Sequence, residues 1–290
     1  SGFSTCRYLN ERGVNCQMIH PADVPTTGKE KLQKTDKVDS RKLARLLRSN
    51  EIEFIYIPDQ QFVCDRSLVR LRSTCIKDLT RIKNRVKGSL LFHDIKIPER
   101  FTESQSRSWS KAYMNWLLEL DTANQSLNSS IKYQVKEGMG LKGIILELTR
   151  ELRVLARHTR YKQDIDLCLT VPGIGLVTAL NIVFEIGDMN RFKTLDQLCN
   201  YISLVPSMYG SGDKIRTGRI VKRGKKKLKT MMIEASWQAV RKDPALTLKF
   251  EQLALRMHKN KAIIRIARKL LSRIRHLLIN KEAYVNGKEI

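Results

Sequence analysis

Apolar residues recur along this 290-residue chain in three successive rhythms. Near the front, short apolar bursts alternate with turn formers. "STCRYLNERG" has a helical spacing that stops at Gly13, and "VNCQMIHP" reads as a short strand closed by Pro21. "PTTGKEKLQ" is a loop, after which "KTDKVDSRKLARLLRS" resumes a helical period with Leu43, Leu46 and Leu47 on one face. "IEFIYIP" reads as a second short strand, closed by Pro58. Helix, strand, helix, strand in so short a span predicts part of an α/β sheet domain over residues 1–58.

From residue 59 to 163 the rhythm lengthens. Leu68, Leu71, Cys75, Leu79, Ile82 and Val86 repeat at three- and four-residue steps with Arg and Lys between them, which predicts one long amphipathic helix. Pro98 and a Ser-rich run break the pattern, "WSKAYMNWLLELD" restarts it, and a third helix covers most of 122–157. Long helices joined by a loop favour an antiparallel hairpin or coiled coil serving as a dimerisation arm; a plain helical-bundle core fits the same pattern. Residues 164–290 read as a compact, mostly helical domain. The expected class is therefore α+β, mostly α.

Charge changes this picture most. The formal net charge is +25, from 54 Lys and Arg against 29 Asp and Glu, and such an excess points to a polyphosphate partner. A merely solubilising or ribosomal-type basic surface is the alternative. The six cysteines show no Cys-x-x-Cys spacing, which argues against a zinc ribbon or disulfide scaffold and for free thiols in the cytoplasm. No apolar stretch is long enough to span a bilayer, so no membrane partner is expected.

Three short stretches carry candidate chemistry. Pro172, Gly173, Ile174 and Gly175 lie between two helical segments and read as the hairpin of a helix-hairpin-helix. Glycine lets backbone approach a phosphate, and free N–H groups at the next helix start face the anion; an ordinary turn between packed helices is the alternative. Asp36 and Asp39 stand three apart at the start of a helix, so they share a face that could ligate Mg²⁺. On spacing alone, a helix cap is the commoner meaning. In "YGSGDKIRTGRIVKRGKKKLK", Ser211 lies between two glycines and is followed by Lys214, Arg216, Arg219, Lys222, Arg223, Lys225, Lys226 and Lys227. A flexible Gly-Ser turn is the commoner reading, and a serine attacking a phosphodiester among charge-stabilising cations is the sharper one.

The stretch from "VPGIGLVTALNIVFEIG" through "SMYGSGDKIRTGRIVKRGKKKLK" to "KNKAIIRIARKLLSRIRHLL" resembles the C-terminal domain of the DEDD-type transposases of bacterial insertion sequences. These are bridge-RNA-guided serine recombinases related to the pilin-gene invertase. "KTDKVDSRKLARLL" resembles the Thr-Asp-x-x-Asp motif that ends the family's acidic tetrad. The resemblance implies a partial ribonuclease-H-like domain in which Asp36 and Asp39 hold Mg²⁺, a coiled-coil middle, and Ser211 as nucleophile. It also implies donor and target DNA, a guide RNA, and assembly as a homodimer or homotetramer. The family's first Asp and its Glu would precede Ser1, so an N-terminally truncated chain with half its metal ligands is expected. Two other readings stay open: a non-catalytic nucleic-acid-binding remnant, and a Mg²⁺-dependent structure-specific nuclease.

Overall fold

The fold is organised by how few acids hold many basic helices together. The computed structural model describes residues 2–28, 30, 35–102, 109–211 and 214–287, which divide into two units, Ser1–Gln60 and Gln61–Ile290.

In the first unit, α1 (Phe3–Glu11) ends at Gly13, whose φ of +80° suits a residue without a Cβ. Asn10 staples the chain's return: its amide donates to the carbonyls of Cys6 and Cys16, each at 2.8 Å, and accepts from the Cys16 N–H at 3.0 Å. The two segments expected as strands do lie antiparallel, but they meet at one isolated bridge, Ile19 with Phe54, and at a 2.8 Å bond from Ile55 N–H to the Met18 carbonyl. Among the described residues this unit has no β-sheet, which corrects the expected α/β domain at its strands. Each segment ends at a proline that cannot donate to a ladder, and two short strands alone are marginal. Helix α2 (Asp36–Arg48) buries Leu46, whereas Leu43 and Leu47 face solvent, so only part of the expected apolar face is used.

The second unit begins with α3 (Gln60–Phe92), then a helical turn at Glu99–Thr102, α4 (Lys111–Glu119) and α5 (Gln125–Ala156). Arg72 Nε donates to Thr149 Oγ1 at 2.8 Å, and farther along Arg85 reaches Glu137 at 3.5 Å, so α3 and α5 run antiparallel. Cys75, Leu79, Ile82 and Val86 are buried as their spacing predicts; Leu71, assigned to the same stripe, is half-exposed. The far end of this pair has its own core, where Ile82, Val86 and Leu90 pack with Trp109, Leu117 and Ile131. Gly138 of α5 is required there, because a Cβ would come within 2.7 Å of the Trp109 ring.

The near end of the pair belongs to a larger core built by α6 (Thr159–Thr170), α7 (Leu176–Ile186), α8 (Leu195–Ile202), α9 (Lys226–Val240), α10 (Pro244–Ala254) and α11 (Lys259–Asn280). Between α8 and α9 stand β1 (Pro206–Ser211) and β2 (Lys214–Ile220), which pair antiparallel. The described residues are thus mostly helical with one two-stranded sheet, in keeping with the expected α+β, mostly α class. No helix among them is long and apolar enough to cross a membrane.

Within the core, Arg273 and Asp243 are 1% and 0% exposed and paired at 2.7 Å, with the Tyr284 hydroxyl hydrogen-bonded to both. Asp243 also caps α10, accepting from the Ala245 and Leu246 N–H groups. Burial alone would raise its pKa, but the Tyr284 and backbone donors and the Arg273 charge hold it below the usual carboxylate range. Removing one member strands the other's charge, so Asp243→Ala should lower unfolding free energy by about 3–5 kcal/mol in urea titrations. The paired apolar replacement, Asp243→Leu with Arg273→Met, should recover most of that loss.

Candidate nucleic-acid interface

The serine motif is a β-hairpin rather than a loop. Its register pairs Met208 with Thr217, Tyr209 with Arg216, Gly210 with Ile215 and Ser211 with Lys214, which leaves positions 212 and 213 between the strands. Those two residues lie outside the described residues, as do the side chains of Ser211 and Lys214. Sequence reading missed the strands because it weighed charge and not period; two residues containing Gly and Asp between pairable runs was the available signal. Gly218 sits under the Tyr209 ring, where a Cβ would meet Cε2 at 3.0 Å and Ser207 Oγ at 2.4 Å.

The hairpin's base is clamped. Ser203 ends α8 in the left-handed region, at φ +64°, and its hydroxyl donates to the Arg223 carbonyl. The Val221 N–H donates to the Val205 carbonyl at 3.0 Å. Gly224, at φ +119°, lies so close that a Cβ would stand 2.2 Å from Ser203 Oγ and 2.9 Å from the Tyr201 carbonyl. Arg216, Arg219, Lys222, Arg223 and Lys226 project as exposed cations from this hairpin and the start of α9.

Lys225 and Lys227 turn inward instead. Lys227 Nζ donates to Ser73 Oγ of α3 and, at 2.6 Å, to Asn181 Oδ1 of α7. One turn after Asn181, Glu185 receives Arg70 of α3 through two 2.7 Å bonds and Lys225 at 3.1 Å, with its side chain only 12% exposed. Burial would raise the Glu185 pKa, but Arg70's hydrogen bonds and the Lys225 charge outweigh it and draw the carboxyl down to about 2. Lys227 moves down as well, to about 8, chiefly through burial. Sequence reading overlooked this group, although Asn181 and Glu185 are two polar residues four apart in an otherwise apolar helix.

Pro172 to Gly175 lie in the turn that connects α6 to α7. Val171 and Ile174 are buried beneath it, and Gly173 adopts φ +84°. The close approach that glycine permits here is made by protein backbone: a Cβ on Gly173 would stand 2.4 Å from the Ala235 carbonyl of α9. Gly175 is exposed at the N-cap of α7, with no side-chain cap.

Asp36 and Asp39 lie in the first turn of α2, but Thr35 is its cap, accepting from the Val38 N–H at 3.3 Å. Asp39 pairs with the buried Lys42 at 3.1 Å. Two carboxylate oxygens of this kind suit Mg²⁺, which keeps waters and takes few protein ligands. Among the described residues no third His, Cys, Asp or Glu joins them.

Two family models match the chain. A DEDD-type transposase model named for IS110 matches residues 2–93, and the model described as the transposase IS116/IS110/IS902 family matches residues 166–251. Curated relatives include the putative transposase y4qE of Sinorhizobium fredii, 25% identical over 82% of this chain and 56% of the relative. The transposase for insertion sequence element IS1533 of Leptospira borgpetersenii is 25% identical over 89% of this chain and 78% of its own length. That for IS1111A of Coxiella burnetii is 26% identical over 95% and 74% respectively. The chain therefore spans just over half the length of the first of these and about three quarters of the other two.

Glu185 yields a pH prediction. Its folded pKa of about 2 lies below the ordinary 4.5, so the stability it contributes is complete above the ordinary value and is lost as pH falls from 4.5 towards 2. The contribution is on the order of 2–3 kcal/mol. Urea midpoints should fall over that acid range in the wild type, and Glu185→Gln should be less stable at neutral pH with a flatter acid limb.

Proposed function

We propose that this chain, which matches transposase family models over residues 2–93 and 166–251, is a transposase of that kind and cleaves and rejoins DNA strands with Ser211 as nucleophile. The observation that carries the proposal is that the family match over residues 166–251 takes in the hairpin where Ser211 ends β1 among exposed cations. In the reaction, Ser211 Oγ forms a bond to phosphorus as one P–O bond of the DNA breaks. The serine proton leaves with the departing oxygen, and a phosphoserine ester remains. Attack by a strand-end hydroxyl on that ester reverses the exchange and joins new ends without an external energy source. Arg216, Arg219, Lys222 and Arg223 stabilise the charge that builds on the phosphate oxygens. The α6–α7 turn, through Gly175 and the N–H groups after it, follows the sugar–phosphate backbone.

Asp36 and Asp39 are read as two oxygen donors to a Mg²⁺ ion that supplies Lewis-acid stabilisation when bound. Lys42 beside Asp39 balances that carboxylate in the ion's absence. Selection of donor and target DNA by a guide RNA, and assembly as a homodimer or homotetramer through the α3–α5 arm, complete the proposal.

A DNA substrate nicked so that the cleaved end diffuses away should trap the ester as a protein–DNA band on a denaturing gel. Ser211→Ala should abolish that band while leaving DNA affinity within about twofold. Hydrolysed DNA with no adduct would favour a nuclease in which Ser211 is only a turn residue, and recombination by Ser211→Ala would overturn the nucleophile assignment.

A further inference from the structure

The sequence pattern gave α3 to the helical arm, and nothing in its spacing pointed to a ligand. Yet Lys227 reaches across to Ser73, which sets the 70–77 segment of α3 against the start of α9. Arg70, Ser73 and Lys77 share one face of α3, and Arg72 lies beside them, held at Nε by Thr149. Among the described residues the acid that acts on Lys227 is Glu185, and it is already engaged by Arg70 and Lys225. Arg72 and Lys77 have no acidic partner at ion-pair distance among the described residues. The first turn of α9 adds Lys226, Lys227 and Lys229, with no acid and no side-chain cap at Lys225. Cations at the positive end of a helix repel its dipole. Two cationic clusters, on α3 and at the start of α9, therefore converge on the single carboxylate of Glu185, which leaves a site short of anions.

We propose that this face of α3 is a second wall of the nucleic-acid surface, where Arg72 and Lys77 act with Lys227 to hold backbone phosphates of a bound polynucleotide. The proposal rests on reading the chain as nucleic-acid-binding. It extends the interface from the serine hairpin to the base of the arm, so that the arm's root would grip substrate as well as space the domains. A polyphosphate backbone suits the site better than a lone carboxylate, because the surrounding cations are repeated rather than single.

The groups that face Lys227 give the site a proton signature. Burial lowers its pKa first, followed by Lys77, Arg72 and Arg70 of α3; Glu185 of α7 acts in the opposite sense, while Asn181 and Ser73 are neutral partners. A phosphate seated beside the amine favours its charged form. Binding should then take up a proton and weaken as pH rises through about 8.

The test is fluorescence anisotropy on the whole chain with labelled duplex DNA and, separately, labelled single-stranded RNA, titrated with salt. Arg72→Gln with Lys77→Gln should flatten the slope of log affinity against log salt by about 1.8 on duplex or about 1.4 on a single strand, two phosphate contacts in each case. A charge-matched control on exposed α5, Lys132→Gln with Lys136→Gln, should leave the slope unchanged. Loss confined to one probe names the backbone held. From pH 7 to 9, wild-type affinity should fall and that of Lys227→Arg should not. A slope unchanged by the α3 pair, or a wild-type affinity flat across that pH range, overturns the proposal. If Arg216→Gln with Arg219→Gln weakens binding and the α3 pair does not, the hairpin reading survives alone. Absence of binding to either probe overturns both.

Discussion

One carboxylate, Glu185, holds together elements that would otherwise repel. Arg70 of α3 and Lys225 of α9 both end on it, and Tyr201 of α8 donates its hydroxyl to the Glu185 carbonyl at 2.8 Å. Lys225, besides pairing with Glu185, lies with Arg191 over the Tyr201 ring, so the aromatic face adds a second partner for cationic charge beside the carboxylate. Glu185 loses most of its water while Arg70 stays about half exposed, so the pair contributes less net stability than its Coulomb attraction suggests. Its stronger effect is on register: the two-pronged Arg70–Glu185 pair admits one alignment of α3 on α7.

The same economy runs through the second unit. Several of its acids pair with distant cations, as in buried Asp243 with Arg273, and nearer the surface Asp196 with Arg268 at 2.7 Å and Asp164 with Lys281 at 2.5 Å. Each pair joins segments far apart in sequence and consumes an acidic charge. Among the cations left exposed are Arg216, Arg219, Lys222, Arg223 and Lys226, which lie together on the hairpin and the start of α9.

How much of this could be read from the sequence depended on the range of the contact involved. The long helices were legible because their apolar stripe is local and repeats many times; Cys75, Leu79, Ile82 and Val86 are buried where periodicity put them. Leu71 deviates because the partner helix covers only part of the stripe. The strands near Ile19 and Phe54 were over-read, since a strand is completed by neighbours that a local pattern cannot supply. The Gly173 turn was visible, but the backbone that fills its hollow belongs to Ala235, some sixty residues later, so the reason for the glycine was not. The hairpin was hidden in the opposite way: its basic composition drew the eye from an ordinary strand–turn–strand pattern.

The serine illustrates why turn and nucleophile need not be rival readings. A flexible Gly-Ser loop would be a poor place for a reacting hydroxyl, because each free dihedral is entropy lost on reaching the transition state. Here Ser211 is the last paired residue of β1, with Lys214 opposite it and Gly210 paired to Ile215 behind it. Those ladder bonds tie its backbone to a base that Ser203 and Gly224 clamp against the end of α8. Both sequence neighbours of Ser211 are glycines, which add no side chain, and the paired strand supplies the rigidity that a loop lacks. A residue can thus stand beside a turn and still be fixed in place because the strands are paired.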